Sequence, residues 1–140
     1  MNSKSDLLFP QLSYIIQGCV FEIRNHYGPG QKEVIYHRLL DEKLTQKGLS
    51  LRREFKIEVY SEDTSKVVGF YQPDILVNES IIIEVKSSRF TTSLDEKQLY
   101  YYLRNSKFEL GYLINFSTPQ LFIKRIVYGN HRKPFLKDSR

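Results

Sequence analysis

The 140-residue sequence has one cysteine and no long apolar run, and each shortage removes a class of protein. Cys19 alone cannot form an internal disulfide framework, and one thiolate cannot build a sulfur-ligated metal site. A reducing, cytoplasmic setting is expected. The densest aliphatic stretch, Ile81 to Ile83 followed by Val85, falls far short of the roughly 20 residues that a membrane-spanning helix needs. The opening "MNSKSDLLFP" has no basic segment followed by a long apolar one, so neither a leader nor an anchor is expected, and no membrane partner. Repeats, low-complexity tracts and linkers are lacking too. With 41% hydrophobic residues, the chain is long enough to bury one core and too short for two, which predicts a single domain over residues 1–140.

Acidic residues run out at one end. The net charge of +5 comes entirely from Lys124 onward, where Lys124, Arg125, Arg132, Lys133, Lys137 and Arg140 are set against Asp138 alone. Residues from about 129 to 140 read as a basic C-terminal tail. These basic groups are candidates for contacting nucleic-acid phosphates, because phosphate contacts supply most nonspecific attraction; a solvated tail is the other reading.

Periodicity supplies the elements. Leu12, Ile15, Ile16, Cys19, Val20 and Ile23 recur at helical spacing and predict a helix from Gln11 to about His26. "HYGPGQKE" ends it, since Gly28 tolerates a positive φ and Pro29 cannot continue the hydrogen-bond ladder. A second helix is predicted from Gln31 to Lys47, with Tyr36, Leu40 and Leu44 on one stripe. Glu33 falls in its first turn, where unpaired N–H groups favour an anion. After Gly48 the period shortens to two. "LRREFKIEVY" reads as a strand, and "KVVGFY", "DILV" and "SIIIEVKS" as an antiparallel meander. A third helix spans about Ser93 to Asn105, and "ELGYLINF" and "QLFIKRIVY" close the domain. Helices placed before and between strands predict an α/β domain with a mixed central sheet.

The chemistry gathers on "PDILVNESIIIEVKSS". Side chains alternate along a strand, so Glu84 and Lys86 project from one face, and a short turn returns Asp74 to the neighbourhood of Glu84. Two carboxylates so close raise each other's pKa unless a cation lies between them. Oxygen-only ligation with room for water suits Mg²⁺ or Mn²⁺. Lys86 would stand beside the metal, able to orient or help deprotonate an attacking water or to neutralise phosphate charge. Taken alone, "EVK" also describes any half-exposed strand. Gln98 and Tyr102 lie four apart, on one face of the third helix, with a surface amide and a core tyrosine as the plain readings.

Several ordered motifs carry a resemblance over nearly the whole chain. "GPGQKEVIY", with Gly30, Glu33 and Tyr36, resembles the signature of the GxxExxY protein family, and "PD…EVK…QLYYY" resembles the PD-(D/E)XK nuclease superfamily. The closing "GYLINF" and "FIKRIV" are similar to that family's last strands. The resemblance implies a restriction-endonuclease-like core, its mixed central sheet flanked by helices. It implies Asp74 and Glu84 as metal ligands, Lys86 as the catalytic lysine, Glu33 as a helix-borne acid and Gln98 with Tyr102 as a trailing QxxxY element. The Val85 carbonyl is expected as a third ligand, with Glu33 reaching the metal directly or through water. The expected function is therefore a divalent-metal-dependent nuclease acting on phosphodiesters of DNA or RNA. The alternative is a nucleic-acid-binding or homo-oligomeric assembly protein that keeps the fold without significant turnover. Tyr100 to Tyr102 cannot all face one core at about 100° per residue. Tyr100 or Tyr101 is therefore expected to meet a second subunit or a base, and a homo-oligomer is favoured.

Overall fold

Pro10, whose missing N–H costs nothing at a helix start, opens α1, Pro10–Tyr27. The computed structural model describes residues 8–137. α1 buries Ile16, Cys19, Val20 and Ile23, and a loop through Gly28 and Gly30 leads to α2, Glu33–Gln46, which buries Tyr36, Leu40 and Leu44. Gly30 has φ +94°, a left-handed conformation that side chains resist. Tyr36 fixes this loop from within: its hydroxyl donates to the Gly28 carbonyl (2.6 Å) and accepts from the Gln31 N–H (3.1 Å), while its ring stacks on Phe116 at 4.5 Å.

Among the described residues seven strands follow: β1 Leu51–Arg52, β2 Ile57–Tyr60, β3 Val67–Tyr71, β4 Ile75–Val77, β5 Ile81–Lys86, β6 Leu110–Asn115 and β7 Phe122–Val127. A third helix, α3 (Ser93–Arg104), lies between β5 and β6. A 3₁₀ turn, Asn130–Arg132, and a short α4, Pro134–Lys137, come last. Five strands form one sheet in the order β1-β4-β5-β6-β7, with β5 and β6 parallel and the other neighbours antiparallel. Parallel neighbours require a crossover, which α3 supplies. Ile75, Val77, Ile81, Ile83 and Val85 pack toward α1 and α2; Leu76, Ile82 and Leu113 pack toward α3. Both faces are covered, which is why β5 reads as a nearly continuous aliphatic run. The result is the expected mixed sheet flanked by helices.

α3 is seated closely. Thr92 caps it in a reciprocal box with Asp95: the Asp95 N–H donates to Thr92 Oγ1 (3.3 Å) and the Thr92 N–H to Asp95 Oδ2 (3.1 Å). A Cβ on Gly111 of β6 would lie 2.8 Å from Leu99 Cδ1, so the glycine lets the helix approach the sheet.

The strand expectations need two corrections. β3 pairs with β2 in a separate two-stranded sheet and not with β4, so the run from Val67 to Lys86 is not a continuous meander. The segment from Leu51 to Tyr60 is not one strand either. It breaks after Arg52, with Glu54 at φ +58°, and Arg53 turns toward α2. Cys19 is buried and unpaired, and no helix among the described residues is long and apolar enough to cross a membrane.

Candidate functional site

The antiparallel register of β4 and β5 pairs Ile75 with Ile83, which sets Asp74 against Glu84 one step further along. Pro73 has no N–H to extend the ladder. Side chains extend it instead: the Asp74 N–H donates to Glu84 Oε1 (2.8 Å), and the Val85 N–H donates to Asp74 Oδ2 (2.7 Å). Each carboxylate is thus pinned by the other's strand. The two hydrogen bonds hold both carboxyl groups at the same end of the β4–β5 pair.

Glu84 is 3% exposed and Asp74 is half-buried. Burial first, and the Asp74 charge second, push the Glu84 carboxyl from its ordinary 4.5 up to about 8; the Asp74 N–H bond and Lys86 oppose this, and Glu33 adds to it. Lys86 projects from the same face of β5 and is half-buried, and no hydrogen bond to a described residue holds its amine. Tyr102 reaches the site from α3. It is 4% exposed, its ring lies 5.2 Å from that of Tyr71, and burial, then Glu84 and Asp74, raise its phenol well above the ordinary value. Gln98, one turn earlier, is exposed, and no hydrogen bond ties it to the carboxylates.

Glu33 approaches from the start of α2 but touches the pair only through a residue the sequence reading passed over. His37 Nε2 lies 3.6 Å from Glu33 Oε2 and 3.7 Å from Asp74 Oδ2. Behind it, Arg53 grips Asp41 with two bonds (2.7 and 2.5 Å) and sets Nη1 at 3.1 Å from His37 Nδ1. A signal was present: Glu33, His37 and Asp41 recur every four residues, one stripe of a helix. Asn115, fully buried at the end of β6, was also missed. Its side chain accepts from the Ser88 and Ser117 N–H groups and donates to Ser88 Oγ and Thr91 Oγ1, joining the chain leaving β5 to the chain leaving β6.

The basic residues do not form one surface. Lys124 and Arg125 are successive on β7 and so point to opposite faces. Lys124 pairs with Glu96 at 3.3 Å, and the Arg132 guanidinium lies 4.2 Å from the Tyr128 ring centre. Lys133 must be withdrawn as a phosphate contact. It is fully buried, and its amine donates to the Ser106 carbonyl (2.8 Å), the Phe108 carbonyl (2.7 Å) and Asn130 Oδ1 (2.7 Å). Burial pushes that amine down to about 8, with Glu109 opposing. The three acceptors match the three protons of an ammonium, and on that ground we assign the charged form. The basic end is therefore no free tail over residues 130–136. Lys137 closes α4, and its side chain and Arg140 lie outside the described residues.

No group of three or more His, Cys, Asp or Glu side chains forms a ready metal cage among the described residues. The donor chemistry nonetheless fits a hard divalent cation, which commonly takes one or two carboxylates and fills its other positions with water and substrate oxygens. The buried pair, with one carboxyl held protonated to about pH 8, has the uncompensated negative field that such a cation relieves. A cleft lined by Glu22, Asn25, His26, Tyr27 and Lys43 contains none of these groups.

A mixed sheet with paired carboxylates and a lysine at the end of its central strands is the architecture of a restriction-endonuclease-like domain. The model of the PD-(D/E)XK nuclease superfamily matches residues 10–126, and the chain belongs to that superfamily. Among solved structures it is similar to one titled "Crystal structure of SSO0001", with a TM-score of 0.52 and 23% identity over 68% of this chain. The match spans 49% of that structure's chain, and the likeness bears on the fold alone. No curated protein matches this sequence.

Proposed function

We propose that this protein is a divalent-metal-dependent nuclease that hydrolyses phosphodiester bonds of DNA or RNA. The observation that carries the reading is the reciprocal pinning of Asp74 and Glu84, with Lys86 on the same strand face as Glu84. Asp74 and Glu84, with the Val85 carbonyl and with Glu33 directly or through water, are the groups to hold Mg²⁺ or Mn²⁺. Such an ion supplies phosphoryl polarisation and a water of lowered pKa. Lys86 places its ammonium where negative charge grows on the phosphate oxygens and stabilises it there. Tyr102, buried and packed against the Tyr71 ring, lines the α3 side of the carboxylates. Kinship with the GxxExxY proteins belongs to the same proposal. It is supported by the structural work of its pattern residues here, Gly30 in the turn and Tyr36 tying that turn to α2.

The test is to incubate purified protein with labelled DNA and RNA in Mg²⁺, in Mn²⁺ and in chelator. Cleavage in the metal arms alone, lost in Asp74→Asn, is the expected result. Binding without cleavage in any arm would replace the nuclease with a binding or assembly protein that has kept the fold.

A further inference from the structure

We infer that His37 is a positioning residue of the carboxylate site, fixed by Arg53 so that its ring proton lies on Nε2 between Glu33 and Asp74. Its purpose rests on the nuclease reading, but its geometry does not. The stripe Glu33, His37, Asp41 on α2 faces Arg53, which the chain delivers where β1 breaks. The guanidinium holds both oxygens of Asp41, and its Nη2 also donates to the His37 carbonyl (3.2 Å) and its Nη1 to the Asp74 carbonyl (3.4 Å). Arg53 therefore touches the residues on either side of the imidazole and cannot easily turn away.

An arginine side chain has only donors. With Nη1 at 3.1 Å, His37 Nδ1 must accept, so the ring N–H is at Nε2. The opposite edge selects the same tautomer. Nε2 is almost equidistant from Glu33 Oε2 (3.6 Å) and Asp74 Oδ2 (3.7 Å). A proton on Nδ1 would set donor against donor at Arg53 and a lone pair against two carboxylates at the other side. Both separations exceed a hydrogen bond. The contact is electrostatic, a positive N–H edge that offsets the repulsion between the two acids and keeps them side by side. Asp74 Oδ2 is then restrained from two directions, by the Val85 N–H and by His37. Glu33, half-exposed at the helix start, is turned toward the site by this contact. Since Nε2 carries the proton, His37 serves as neither metal ligand nor base there.

The first measurement is the ring-nitrogen NMR of ¹⁵N-labelled, metal-free wild type. A protonated Nε2 and an unprotonated Nδ1 are expected, and a mixture in Arg53→Met. The second is Mn²⁺ affinity by calorimetry, with folding checked by circular dichroism. His37→Leu should bind Mn²⁺ about 10-fold to 100-fold more weakly, the range typical of lost outer partners. His37→Gln, whose amide N–H can reach the Nε2 position, should recover most of that loss. A proton found on Nδ1, unchanged Mn²⁺ affinity in His37→Leu, or no recovery in His37→Gln would each overturn the inference, and the wild-type spectrum decides it even if the variants fail to fold. Wild type that binds Mn²⁺ but cleaves nothing would overturn the nuclease reading and leave this one standing; wild type that binds no Mn²⁺ would overturn the nuclease reading too, and the ring-nitrogen spectrum alone would then decide this inference.

Discussion

Glu84→Gln should make the metal-free protein more stable at alkaline pH while removing its response to metal. Glu84 is 3% exposed, and its carboxyl holds its proton to about pH 8 against an ordinary 4.5. Between those values the native chain binds a proton that the unfolded chain has released, so stability falls as pH rises through the window and the full loss is present above it. At 1.36 kcal/mol per unit, about 3.5 units correspond to roughly 5 kcal/mol, an upper bound since the proton belongs to the Asp74–Glu84 pair and water relieves part of the cost. Glutamine keeps the shape, and its oxygen can still accept the Asp74 N–H, but it carries no charge to bury. Urea denaturation in chelator, from pH 5 to pH 9, should give similar stabilities for wild type and variant at pH 5. The variant should be ahead by about 2–4 kcal/mol at pH 8.5. Saturating Mn²⁺ should raise wild type and leave the variant unmoved. Parallel pH profiles, or a variant less stable than wild type at pH 8.5, would refute the account of a frustrated carboxylate pair.

Lys86→Ala should reduce cleavage at least about 100-fold while nucleic-acid binding stays within a few-fold, since the ammonium acts on charge that develops in the transition state; equal losses in gel-shift and turnover assays would make it a phosphate anchor instead. Lys133→Met takes the donor from two buried carbonyls and a part-buried amide oxygen and should cost about 3 kcal/mol in urea denaturation, with nucleic-acid affinity per folded molecule unchanged. A stable Lys133→Met with weakened binding would restore the phosphate-contact reading. Tyr101 is 42% exposed, whereas Tyr100 packs edge-on against Tyr128 at 5.0 Å, so any subunit contact through the tyrosine run should use Tyr101. Light scattering should then show a smaller mass for Tyr101→Ala than for wild type, and a monomeric wild type at micromolar concentration would leave base stacking as that ring's use.

What the sequence made legible was local. Helical spacing placed α1, α2 and α3 within two residues at each end, because a buried stripe has a period that survives in the chain. The ten-residue separation of Asp74 and Glu84 was readable for a similar reason: a short hairpin returns the chain to a partner fixed by alternation. Partners chosen by long-range packing were not. Val67–Tyr71 has the composition of a sheet strand, and nothing in it says that its partner is β2 and not β4. Arg53 looked like one position in an alternating strand because its real partners, Asp41 and His37, lie on a helix 12 and 16 residues away. Lys133 was misread for the opposite cause. A lysine in a basic stretch is nearly always solvated, and only the fold brings two carbonyls and an amide oxygen around its amine.

Asn115 is where the two strand ends that frame the site are joined, and its loss should be felt in the segments that leave β5 and β6 at Ser88 and Ser117. The parallel register sets Asn115 beside Lys86. Its Oδ1 takes the Ser88 N–H at 3.2 Å and the Ser117 N–H at 3.1 Å, and its Nδ2 reaches Ser88 Oγ at 3.1 Å and Thr91 Oγ1 at 3.2 Å. One amide thus fills its four hydrogen-bonding positions, in a place with no exposure to water. Ser117 extends the brace to the α2 side: its hydroxyl bonds Ser87 Oγ at 2.7 Å and accepts from the Gly30 N–H at 3.0 Å. In Asn115→Ala two backbone donors lose their acceptor together, at a cost of about 2–4 kcal/mol if they stay dry. The segment after Lys86 can avoid part of that cost by opening to water, so the smaller the measured loss of stability, the looser the segment must be. Amide hydrogen exchange separates the two outcomes. Ser88 and Ser117 should exchange at least about 10-fold faster in Asn115→Ala while the β5 amides from Ile81 to Ile83 keep their protection. Unchanged exchange at Ser88 and Ser117, with stability also unchanged, would show that other contacts hold the strand ends and that the amide is dispensable.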